Sequence, residues 1–175
     1  RETRQFIKLN TRLSKDEKCE RLKRLSNLEM DWEQSGGMPT VLQKHLDADT
    51  HRVIVFCGGV DIMHNMKPVV IDWFKKAGLK VADIYTVDCN MTDGNKKRTM
   101  EAFEQDTDQG IKIMMGVNML NEGIHIPRVD AVVMLRTTSS RIIYMQQLGR
   151  CLTAANTSRP VVFDMVDNIT GTNII

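Results

Sequence analysis

Gly149-Arg150 is the pair in this sequence with the plainest chemical use. A glycine ahead of an arginine on a helix leaves the guanidinium with little side-chain cover. That group stays protonated and forks onto phosphate oxygens through two parallel hydrogen bonds. An arginine near a helix C-terminus can also do no more than answer the macrodipole, so the pair takes its meaning from two other segments. One is Gly116-Val117-Asn118-Met119-Leu120-Asn121-Glu122-Gly123-Ile124-His125-Ile126-Pro127. It reads as a strand end, one helical turn and an extended exit, with the Gly123 N–H and the His125 ring at one edge. Gly123 alone could be a helix C′ residue, and a single histidine is often only a hydrogen-bonded group. The other segment is Val53-Ile54-Val55-Phe56-Cys57-Gly58-Gly59, where an apolar run ends in two glycines. Glycines let a backbone come close to a phosphate, and they also serve tight turns.

Several chemistries lack their residues. No GxxxxGK[ST] loop and no acidic DExx-type pair after a strand occurs, so the chain has no cradle of its own for a nucleoside triphosphate and its magnesium. HExxH, GxSxG and GxGxxG are missing too, which removes metalloprotease, serine hydrolase and dinucleotide oxidoreductase readings. No metal site is expected.

The elements that must position these segments follow from the apolar pattern. Short apolar runs at Val53–Cys57, Val81–Val87, Ile111–Gly116, Ala131–Leu135 and Val161–Met165 predict strands. Most are continuous rather than alternating, as in a parallel sheet covered by helices on both faces. Helices are expected from Asp61 to Ala77, interrupted near Pro68, from Asp93 to Glu104, and from Ser140 to Leu152, with Asp93 and Ser140 as N-caps; a short turn is expected at Met119–Asn121. Upstream, Leu22, Leu25, Leu28 and Trp32 recur at helical steps over 15–34, opened by Ser14 and ended by Gly36-Gly37, and a short helix follows from Pro39 to Leu46. A polar break from Asp47 to His51 marks the domain boundary, giving a helical connector at 1–50 and an α/β domain at 51–175.

With 175 residues the chain is one domain and an appendage, and 42% hydrophobic with 26% charged residues excludes a disordered tail. No apolar run nears the roughly 18 residues of a membrane span. The chain opens on Arg1, as expected of a piece of a longer protein. Its four cysteines contain no CxxC pair, which points to a reduced, cytoplasmic setting. Residues 1–25 hold nine Lys/Arg against four Asp/Glu, a basic end able to meet phosphate or to form a solvated helix face. The twelve methionines fall mostly on strand and helix positions and read as core packing.

Taken in order, the three segments resemble the signature motifs of the second RecA-like domain of superfamily 2 helicases. Val53–Cys57 resembles motif IV, NMLNEGIHIP at Asn118–Pro127 motif V, and QQLGR at Gln146–Arg150 the QxxGR of motif VI. Met134–Arg150 looks closest to bacterial DEAD/DEAH-like helicases related to restriction-enzyme translocases. The resemblance covers roughly Arg52 to Asn168. It implies an open parallel RecA-like sheet of about five strands and a second motor domain that closes over ATP and Mg2+ held mainly by a first, missing RecA-like domain. Arg150 and Gln146 would then be catalytic, Gly123 and His125 would lie at the nucleotide, and Gly58, Gly59 and Asn118 would touch the nucleic-acid backbone, DNA in preference to RNA. By itself the piece would be inactive. The chain departs from the family pattern at His125, where many relatives have Asp, and at Thr153, where a second arginine is usual. The alternative is a degenerate RecA-like domain that binds nucleic acid or protein without catalysis. A free-standing small-molecule enzyme would share only the fold.

Overall fold

The computed structural model describes residues 14–20, 22–23, 36–105, 109–117, 129–136, 144–145, 148–149 and 160–166. The chain forms two compact units, Arg1–Val41 and Leu42–Ile175. In the first, Ser14 caps a helix as its type suggests. Its Oγ accepts from the Glu17 N–H at 3.2 Å, and Glu17 Oε2 accepts from the Ser14 N–H at 2.8 Å. This reciprocal capping box satisfies two amide donors that the helix itself cannot. Helix α1, Gly37–His45, carries Pro39 in its first turn, where a missing N–H costs nothing.

The second unit is built on strands β1 (Arg52–Cys57), β2 (Val81–Val87), β3 (Ile111–Gly116), β4 (Ala131–Leu135) and β5 (Val161–Asp164), with α2 (Val60–Lys76) and α3 (Asp93–Glu104) between the first three. All pairings are parallel, in the order β2-β3-β1-β4-β5. β1 and β3 are buried at every position, which is why their sequences do not alternate. Ile54, Phe56, Met114, Val132 and Met134 form one core with Met100 and Phe103 of α3 and with Tyr144 and Leu148. Val53, Val55 and Cys57 alternate with these and point to the other face, where α2 packs on β1, β2 and β3. Among the described residues six methionines, Met38, Met63, Met100, Met114, Met115 and Met134, are buried, in line with a packing role.

Two helix expectations need correction. α2 runs through Pro68 without a break. Pro68 and His64, whose carbonyl loses its partner, both lie on the exposed side of the helix, so water can take the freed group. The N-cap of α3 is Thr92, not Asp93: the Asn95 N–H donates to Thr92 Oγ1 at 3.4 Å. Asp93 sits in the first turn, where its charge suits the helix dipole. α2 likewise begins at Val60, one residue before Asp61, with Gly59 as N-cap.

Two buried cations tie α3 to the sheet. Arg52 donates from Nε to the Phe103 carbonyl at 3.3 Å and from Nη2 to that of Glu104 at 2.7 Å. Lys112 Nζ donates to the carbonyls of Ala102 at 2.6 Å and Gln105 at 2.8 Å. They satisfy the carbonyls that a helix C-terminus leaves without partners. At the same pole, Asp130 Oδ2 accepts the His51 and Arg52 N–H groups at 2.8 and 2.9 Å. Gly110 is required there: its φ is +133°, and a Cβ would run into the Lys80 carbonyl, which accepts the Ile111 N–H at 2.8 Å.

Candidate functional site

The strand order creates one crevice by connectivity alone. From β1 the chain leaves through α2 toward β2 at one edge, whereas after β3 it reappears on the far side of β1 as β4. The carboxyl ends of β1 and β4 therefore flank a topological switch point, the place where open α/β sheets bind ligands. Gly58 and Arg136 are the first residues beyond these two strands, placed side by side by the register Cys57↔Leu135.

Gly58 is exposed, and a Cβ built on it would meet Ile62 Cδ1 at 3.7 Å and Arg136 Cβ at 3.8 Å, ordinary contact distances. Gly59 is extended, with φ −174° and ψ 164°, and a Cβ there would meet nothing within 4 Å. It caps α2 without a side-chain hydrogen bond, so the first amides of that helix have no side-chain acceptor from the cap position. Neither glycine has a positive φ. Their lack of a side chain is thus not demanded by local geometry, in contrast to Gly110.

The residues described around motif VI show a two-sided helix. Tyr144 and Leu148 are buried in the core, whereas Met145 (55% exposed) and Gly149 face outward. A Cβ on Gly149 would also meet nothing within 4 Å, as at Gly94 in the first turn of α3. The Tyr144 hydroxyl is buried with no hydrogen-bond partner. Burial, and then the negative charge of Asp164, push its pKa upward.

Of the residues expected to act, the structure brings Gly58 and Gly59 to the switch-point edge. Asn118, Gly123, His125, Gln146 and Arg150 lie outside the described residues, as do Thr153, the turn at 119–121 and the Ser140 cap. Arg136 was assigned no role from the sequence, although its place directly after a strand was a usable signal. Among the described residues no group of three or more His, Cys, Asp or Glu could hold a metal ion. A cavity of about 380 Å³ lined by Asp47, Thr50, His51, Lys80 and Gly110 lies at the opposite, amino-terminal pole of the strands, away from the crevice.

Cys57 adjoins the site but is not equipped for it. It is fully buried, and burial pushes its thiol up to about 11 from 9.0. A thiol at this position is inert as a nucleophile near neutrality. At pH 8, iodoacetamide should label the exposed Cys19 and Cys89 in the folded chain, and Cys57 only after unfolding, as read by mass spectrometry. The same shift makes stability depend on pH. The unfolded thiol ionises near 9.0 while the folded one holds its proton to about 11, so stability is full below pH 9 and falls as pH rises through that window, by about 2 kcal/mol for this group. Tyr85 and Tyr144, both raised chiefly by burial, act in the same direction at higher pH. Urea midpoints measured from pH 8 to 11 would show the decline, and a flat profile would contradict it.

Comparison with known proteins adds the family. Residues 37–154 match the family described as "Helicase conserved C-terminal domain". No curated protein matches the sequence. Among solved structures, the C-terminal part of the Fun30 ATPase domain superposes with a TM-score of 0.56 at 13% identity, covering 71% of this chain and 38% of that one. Domain 2 of the DEAD-box helicase Mss116p, bound to an RNA duplex, gives 0.50 at 17% identity, covering 81% and 48%. The E. coli DEAD-box protein SrmB, bound to regulator of ribonuclease activity A, gives 0.51 at 19% identity, covering 73% and 70%. The chain therefore spans well under half of the Fun30 structure and about half of the Mss116p structure. At these identities the structural likeness speaks for the fold, a five-stranded all-parallel RecA-like sheet. With about two thirds of its length matched, the chain belongs to the helicase conserved C-terminal domain family.

Proposed function

We propose that this chain is the second motor domain of an ATP-dependent nucleic-acid helicase or translocase, working against a first domain that holds the nucleotide. The observation that carries the reading is the pair of glycines at the end of β1, Gly58 and Gly59, whose lack of a side chain the fold does not need. Open backbone at a switch point suits a phosphate that must approach closely. The described edge offers amides that fit phosphate oxygens, but no carboxylate set that fits a divalent cation. ATP supplies the phosphoanhydride whose cleavage drives such a motor.

This chain's part in the reaction is electrostatic. Arg150 would stabilise charge developing on the transferred phosphoryl group, and Gln146 would orient the same edge. Gly123 N–H and His125 would lie at the nucleotide. Gly58, Gly59 and Asn118 would meet the phosphates and sugars of the nucleic acid, contacts that position the strand without reading its sequence.

Alanine at the glycines separates site from scaffold. Gly149→Ala should leave the chain as stable as before or raise its stability by up to about 1 kcal/mol. In the intact motor it should cut ATP turnover about 10–100-fold, because a methyl there displaces whatever docks on that face. Gly110→Ala should instead cost about 2–3 kcal/mol through backbone strain. Denaturant melts and steady-state ATPase read both quantities. Full turnover with Gly149→Ala in a folded motor would overturn the reading.

A further inference from the structure

We propose that Tyr144 is a positioning residue of the motor, whose hydroxyl bonds the Asp164 carboxylate when the motif VI segment takes its working place at the nucleotide. The inference rests on the motor reading above and adds two residues to the expected site. Tyr144 is helical and precedes Arg150 by six residues. Its side chain belongs to the core with Phe56, Met134 and Leu148, and the residue is 5% exposed. Among the described residues its hydroxyl is the buried side-chain polar atom that has no hydrogen-bond partner. A hydroxyl buried in this way is unfavourable, and phenylalanine would fill the same space without that cost. A polar atom that the fold could do without needs another use.

The strands indicate the acceptor. Val162 of β5 packs against the same core as Tyr144, and Asp164, two residues further on, points to the same face. Asp164 also pairs in register with Met134, a member of that core. The carboxylate therefore stands on the face of the sheet that Tyr144 covers, at the carboxyl ends of β4 and β5. After burial, its negative charge is the second cause that raises the Tyr144 pKa. Asp164 accepts the Val166 N–H at 3.4 Å and has a further interaction of its own. A carboxylate offers about four acceptor sites, so a tyrosine proton can be added to the bonds it already makes. Bonds of the O–H···O⁻ type are short and strong. One made here would fix the place of Tyr144 on β4 and β5, and with it the start of the segment that leads to Arg150, where a misplacement of about 1 Å is costly in rate.

The test measures Tyr144→Phe by urea unfolding of this chain and by steady-state ATPase of the intact motor. Loss of the hydroxyl should keep or raise the urea midpoint. In the motor it should lower kcat about 10–100-fold, the value of one hydrogen bond to a charged acceptor. KM should change little, as for an interaction made only on the way to the transition state. Asp164→Ala should lower kcat by a similar factor, and the double variant should lose no more than the worse single. Tyr85→Phe is the control: it removes a hydroxyl that already donates to Asp83 Oδ2 and to the Ala102 carbonyl, and it should leave kcat unchanged. A Tyr144→Phe chain with a lower urea midpoint would mean that the hydroxyl is bonded in the fold as it stands, directly or through water, and the proposal is overturned. An unchanged kcat in that variant overturns it too, as do additive losses in the cycle with Asp164→Ala. Those results leave the motor reading standing, which fails instead if the wild-type intact motor turns over no ATP.

Discussion

Arg150→Ala, made in the intact motor with its nucleotide-holding domain present, should lower ATP turnover by about 10³–10⁵ while leaving nucleic-acid binding in place. The size is that of an arginine placed against the transferred phosphoryl group in nucleotidases of known mechanism. The full effect is expected because the chain has little reserve at this position. The motif reads QQLGRCLT, so the place of a second arginine is taken by Thr153. The local frame supports the assignment: Tyr144 and Leu148 anchor one side of the helix in the core, and Met145 and Gly149 are turned out. Arg150→Lys should recover little, since an ammonium is a point charge and cannot fork onto two oxygens. The split between kinetic constants is informative. An interaction made only in the transition state lowers kcat with KM little changed, whereas loss of simple nucleotide affinity raises KM. Unchanged turnover in the alanine variant would remove the electrostatic role and leave the chain as a docking or binding module.

How much of this was legible in the residues differs by scale. Strands β2, β3 and β4 begin and end where their apolar runs do: burial on both faces selects continuous Val, Ile and Met in β3 and β4, while the edge strand β2 is only partly buried and admits Asp83, and each run is bounded by polar or glycine residues. α3 was equally readable, apart from its cap. The break expected at Pro68 did not occur, because whether a proline interrupts a helix depends on which way its ring and the freed carbonyl face. The site was partly legible. Glycines look alike in a sequence, and only the backbone angles separate Gly110, which the fold demands, from Gly58 and Gly59, which it does not. Arg136 gains its place from pairing between strands about 80 residues apart, which no local pattern carries. Arg52 and Lys112 were invisible for a similar reason. A lysine inside the run IKIMMG looks like an exposed position of a strand, and nothing nearby reveals that a helix end lies above it.

Lys112 carries the second large prediction. Lys112→Met should destabilise the chain by about 3 kcal/mol, because the substitution keeps most of the buried stem and deletes only the charged donor. The residue is 5% exposed, and its Nζ reaches the Ala102 and Gln105 carbonyls while lying 6.0 Å from the centre of the Tyr85 ring. Hydrogen bonds from a charged donor contribute about 1.5–3 kcal/mol each, and removing one partner of a buried pair leaves the other without solvent. Against this stands the cost of keeping an ammonium out of water, which is why the net figure is nearer one such bond than two. The expected fall in melting temperature is about 6–12 °C for a chain of this size. Lys75→Met, on the exposed side of α2, is the control and should stay within about 0.5 kcal/mol of wild type. Arg52 holds the next two carbonyls of the same helix end. The double variant with Arg52→Met should therefore lose less than the sum of the singles, since once the end of α3 lifts, the second cation has nothing left to hold. Strict additivity in that cycle, or a Lys112→Met melt that matches the Lys75→Met control, would mean that water replaces the lysine and that α3 is held to the sheet by its apolar face alone.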